Sequence, residues 1–66
     1  MTATKISCNK FKKIVAESDK YYSRTGWIPD EKERLSDIAD GIADELGIDE
    51  EHVGIKDVRE LFRACY

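Results

Sequence analysis

No stretch of this 66-residue chain is apolar over the length that a membrane span or a secretory leader requires. Glycine and proline are scarce, at four and one, which excludes low-complexity and collagen-like classes. The chain has one histidine and two cysteines, with no C-x-x-C or H-x-x-x-H spacing. A zinc site takes about four such ligands, so no metal and no cofactor is expected. No glycine-rich phosphate loop and no G-x-S-x-G motif is present. A nucleophile needs an adjacent base, and His52 lies far along the chain from both Cys8 and Cys65. These absences argue against an enzyme. Read as a complete protein, the chain is expected to be cytoplasmic.

Size sets a second limit. A chain of this length forms one domain, residues 1–66, burying roughly 60% of its unfolded surface with a stability of about 3–10 kcal/mol. Its core must take most of the large apolar residues, and few remain to line a substrate pocket.

What is present is helical periodicity. Ser7 can cap a first helix whose Cys8, Phe11, Ile14, Val15, Ser18, Tyr21 and Tyr22 share a face. Gly26 fits a left-handed cap. Pro29 disfavours helix at Ile28, and the apolar Trp27 and Ile28 are expected to plug the end of the core. The strongest signal is Asp30–Gly47. Asp30 and Glu33 form an Asp version of the capping box, and Leu35, Ile38, Ala39, Ile42, Ala43 and Leu46 follow at helical spacing. Gly41 interrupts that helix at a cost of about 1 kcal/mol, which either marks a close approach by another backbone or carries no meaning. Gly47 and Ile48 repeat the stop signal, and Asp49 is placed to cap again. A short turn at Glu50–Val53 then precedes a third helix at Ile55–Cys65. The fold expected is all-α, a small three-helix bundle with residues 1–6 as a flexible tail. In an up-down-up bundle the start of the first helix and the end of the third lie at opposite poles. Cys8 and Cys65 are therefore expected as two buried thiols.

The net charge of −3 is divided unevenly. Residues 1–28 carry a basic excess, whereas residues 29–66 hold twelve of the fourteen carboxylates. The halves can attract each other within the fold, or they can serve a partner. Two charged faces follow from the helical projection. Glu33, Asp37, Asp40 and Asp44 form an acidic stripe opposite Leu35, Ile42 and Leu46. Lys10, Lys13, Lys20 and Arg24 form a basic face on the first helix, near Tyr21 and Trp27, with Glu17 placed to pair with Lys13 and Lys20.

The run Ile42-Ala43-Asp44-Glu45-Leu46-Gly47-Ile48, with Val53 beyond it, resembles the helix-turn-helix family. The resemblance covers about 20 residues and implies a helix-turn-helix-like second half and DNA binding. Lys56 stands where that family has an apolar residue. Asp49, Glu50, Glu51 and His52 would enter the major groove, where carboxylates oppose phosphates. The same stretch is similar to the tail of an acyl carrier protein's first helix, but the Asp-Ser-Leu attachment site of that family is missing.

The reading that follows is a non-enzymatic regulator or inhibitor, of the size class that phages and plasmids encode. It would present Glu33, Asp37, Asp40 and Asp44 to a protein partner with a basic surface, as a monomer or homodimer and without a membrane. The alternatives are a DNA-binding regulator using Lys10, Lys13, Lys20 and Arg24, and a structural subunit of a larger assembly.

Overall fold

The computed structural model describes residues 6–66. Three α-helices follow one another: α1 at Cys8–Thr25, α2 at Glu31–Leu46 and α3 at Ile55–Cys65, with a 3-10 turn at Glu50–His52 before α3. The described residues contain no strand, and no helix among them is long and apolar enough to cross a membrane.

Local chemistry sets the helix ends. The Ser7 hydroxyl accepts from the Lys10 backbone N–H, and the Asp30 carboxylate accepts from that of Glu33 at 2.8 Å. Gly26 and Gly47 close α1 and α2 with φ of +73° and +69°, a region that strains side chains with a Cβ. Asp49 makes no side-chain cap to the 3-10 turn, contrary to expectation. The cap at the next boundary is instead Asp57, whose carboxylate accepts from the Gly54 N–H at 3.0 Å.

α1 and α2 lie antiparallel. Lys10 meets Glu45, Ile14 meets Gly41 and Asp19 meets Arg34, so numbers rise along one helix as they fall along the other. Phe11, Val15, Leu35, Ile38, Ala39, Ile42, Ala43, Val53 and Val58 make the buried core. Ile6 packs against it, so the chain is anchored one residue earlier than a tail over 1–6 implies; residues 1–5 lie outside the described residues.

α3 departs from the up-down-up arrangement. The Gly47–Gly54 connector folds back so that the 3-10 turn packs against α2. From there α3 carries Phe62 to Phe11, with ring centroids 5.0 Å apart in an edge-to-face pair. Its last residue reaches the first residue of α1. Cys8 and Cys65 are joined by a disulfide, with Cα atoms 5.4 Å apart. The expectation of two buried thiols is therefore wrong, because it assumed a third helix parallel to the first. Cys8 is exposed and Cys65 half-buried.

Trp27 and Ile28 also depart from expectation. They are 50% and 89% exposed. The buried ring of Tyr22 closes that end of the core, and Trp27 leans on it from outside at 5.5 Å.

Gly41 has a definite packing reason. A Cβ there would lie 2.8 Å from Ile14 Cγ2, and the branch of an isoleucine is stiff. Gly41→Ala gains about 1 kcal/mol of helix propensity but meets an overpacking cost of about 1–3 kcal/mol, so a net loss is expected. In an Ile14→Ala background the same change should stabilise. Chemical denaturation of the four proteins of this cycle checks it, and additive effects would reject the contact.

Candidate functional site: an acidic surface on α2 and the following turn

Glu33, Asp37, Asp40 and Asp44 lie along one side of α2, since steps of three and four residues keep to one helical face. Glu33, Asp40 and Asp44 are exposed and Asp37 is half-buried. Toward α1 the stripe borders a shallow cleft of about 330 Å³, lined by Ile14, Ser18, Asp37, Gly41 and Asp44 with Glu17 and Glu45 at its rim. The Ser18 hydroxyl oxygen is buried there without a hydrogen-bond partner among the described residues.

Two of the four carboxylates are engaged. Burial, and then the nearby Asp37 carboxylate, push the Tyr22 hydroxyl up to about 12. Asp40 instead meets Glu50. The nearness of Asp40 pushes the Glu50 carboxyl above its ordinary value, and Asp49 and Glu51 act in the same direction. The 3-10 turn thus adds Glu50, Asp49 and Glu51 to the stripe. The sequence places Glu50 and Glu51 in a short turn and, under the helix-turn-helix resemblance, at the major groove, apart from the stripe. Their union with Asp40 depends on the fold of the connector, which no local pattern encodes.

The described residues contain three ion pairs: Lys10–Glu45 at 3.3 Å, Arg34–Asp19 at 3.0 Å and Arg59–Glu31 at 2.8 Å. None includes a carboxylate of the stripe or of the turn. Of the basic face, Lys10 is engaged by Glu45, while Lys13, Lys20 and Arg24 are exposed and have no ion pair among the described residues. Glu17 pairs with neither Lys13 nor Lys20. Two of these pairs join the halves, and only Lys10–Glu45 sets a cation of the basic half against a carboxylate of the acidic half. The Arg34–Asp19 pair has the opposite sense.

Comparisons of the chain with protein-family models, with curated proteins and with solved structures find no match. What the surface can do has to be argued from its own groups.

The helix-turn-helix resemblance is met only in outline. α2 and α3 are consecutive helices, but Asp49, Glu50, Glu51 and His52 form an exposed turn rather than the start of a second helix. In that turn Asp49, Glu51 and His52 bring their ligand atoms within 4.8 Å of one another. All three are exposed, so water competes for each donor. Nor does an exposed carboxyl such as Glu50 have the desolvated cleft that acid–base catalysis uses. The surface is suited to attracting positive charge.

Proposed function

We propose that this protein is a non-enzymatic binding regulator whose acidic surface engages a basic surface on a protein partner. One observation carries the proposal: Glu33, Asp40 and Asp44 stand exposed along α2 beside the exposed Asp49, Glu50 and Glu51 of the following turn, and none of these carboxylates has an ion pair among the described residues. Like charges gathered on one surface raise the energy of the free protein. A Lys or Arg brought by a partner relieves that repulsion, and charge complementarity of this kind sets partner choice and encounter rate. Glu33, Asp37 and Asp44 extend the same field along α2. A small acidic domain of this type suits an inhibitor that covers a cationic site, including one that otherwise holds nucleic acid.

The test is a titration with a lysine-rich peptide at rising salt, using two variants of equal net charge. One carries Asp37→Lys, Asp40→Lys and Asp44→Lys, and the other Glu17→Lys, Glu31→Lys and Glu60→Lys. The first should bind about tenfold or more weakly than the second. Circular dichroism checks that both remain helical. Equal affinities would remove the stripe as the interface.

A second reading rests on Lys13, Lys20 and Arg24, exposed and unpaired on α1 among the described residues. In that reading the protein lies along DNA phosphates, and duplex DNA in the same titration should bind with a log-linear loss in salt. The expected cytoplasmic setting belongs to the proposal as well. There Cys8–Cys65 would meet cellular thiols, which keep most cytosolic disulfides reduced.

A further inference from the structure

α2 has a second working side. Glu31, Arg34 and Leu35 share a face away from the acidic stripe, and two clefts meet there at Arg34. The first, about 340 Å³, is formed by the rings of Tyr22, Trp27 and Pro29 with Ile28 and Arg34. The second, about 470 Å³, has Leu35 and Phe62 with Arg34, Arg59 and Arg63 around them. Each cleft has room for one or two apolar side chains and not for a folded domain.

The arginines between and around these clefts differ in freedom. Arg34 is held by two hydrogen bonds to Asp19, at 3.0 and 3.2 Å, and its guanidinium stands 5.6 Å from the Phe62 ring centroid. It forms a fixed wall shared by both clefts. Arg59 is tied to Glu31 by an ion pair exposed on both sides, an interaction of small net strength that an incoming carboxylate can share. Arg63 has no carboxylate partner among the described residues.

Beside them stand Trp27, half exposed, and Ile28, almost fully exposed, on the turn between α1 and α2. A chain with so few large apolar residues leaves two of them outside its core at this one turn. Trp, Tyr and Arg around small apolar pockets are the composition of interface hot spots. A guanidinium fork selects carboxylates over other acceptors by bidentate geometry.

We infer that the Trp27–Ile28–Arg34–Arg59–Phe62–Arg63 face is a docking surface for an acidic peptide segment that carries two apolar anchors. The segment crosses Arg34, sets one anchor against Trp27 and Ile28 and the other against Phe62 and Leu35, and places carboxylates on Arg59 and Arg63. The partner is acidic because the cations of this face exceed its anions and Arg63 is unpaired among the described residues. It is apolar at two points because the face has two apolar clefts with a charged wall between them. The protein would then join an acidic partner to a basic one through opposite sides of α2. The face does not depend on the acidic stripe being an interface.

Trp27 is the only tryptophan, so its fluorescence reports this face directly. The probe is a glutamate-rich peptide containing one leucine and one phenylalanine, titrated into the full chain. Because the chain is itself acidic overall, unspecific charge attraction works against binding. A saturable blue shift is expected, weakened about tenfold or more by Arg63→Glu and by Ile28→Ser. Both positions are exposed, and circular dichroism confirms that the variants keep the wild-type helix content. The same peptide with serine in place of its leucine and phenylalanine should give no saturable shift. The inference is overturned if the probe gives none, if the serine peptide binds equally, or if either variant binds like the wild type. Tighter binding of a short oligothymidylate would also overturn it, since a phosphate backbone would then be the better occupant.

Discussion

Reducing Cys8–Cys65, or replacing both residues by serine, is expected to lower the unfolding free energy by about 4 kcal/mol. The bridge spans a sequence separation of 57 residues, nearly the whole described chain. In the unfolded state it therefore forbids most of the conformations a free chain would visit, and that lost disorder is the source of the effect. For a domain of this size, each kcal/mol corresponds to about 4–8 °C, so the midpoint should fall by roughly 16–30 °C. Thermal and urea melts with and without a reductant measure it directly. A fall of only a few degrees would show that the reduced chain keeps its ends together without the covalent bond.

Phe11→Ala should be nearly as damaging. Phe11 is fully buried, and its ring ties α1 to α3. Its ring meets Phe62 at 5.0 Å and Tyr66 at 6.2 Å, both edge-to-face. Truncation removes the buried ring, leaves a cavity between α1 and α3, and is expected to cost about 3–5 kcal/mol. That equals much of the stability a domain of this length possesses, about 3–10 kcal/mol. The oxidised variant should melt far below the wild type, and the reduced variant should lose cooperative folding. A loss below about 1 kcal/mol in urea unfolding would mean that the site collapses around the missing ring.

The two results bear on what could be read before the fold was known. Helix ends depend on groups only a few residues apart, such as Ser7 with Lys10, Asp30 with Glu33, and the glycines at 26 and 47. The boundaries were legible for that reason, and α3 begins and ends where the spacing predicts. The heading of α3 was not legible. It depends on a turn that folds onto Asp40 and on Phe62 finding Phe11. Such contacts join distant parts of the chain and leave no mark in a helical projection. The misjudged thiols and the unforeseen Asp40–Glu50 contact share that cause.

The apolar character of Trp27 and Ile28 misled for a different reason. Hydrophobicity indicates that burial is favourable, but Tyr22 already occupies that end of the core. The alternating charges of α2 were easier to read, because every fourth residue returns to the same side whatever the helix packs against. The acidic stripe could thus be listed residue by residue, whereas the arginine face could not. Arg34, Arg59 and Arg63 come from two helices whose meeting depends on the same heading of α3.

Between Cys8 and Cys65 the molecule is a closed ring of backbone and sulfur. A protease entering at the protruding Ile28 would open that ring without releasing a piece of it. The severed strands would stay linked through the opposite side of the loop, still sharing one core. Such a nick would pass unseen by mass on an oxidising gel apart from one added water, and would show as two fragments only after a thiol is added. Damage at the exposed turn and loss of the molecule are thereby made separate events, and the redox state of the surroundings decides whether the first becomes the second.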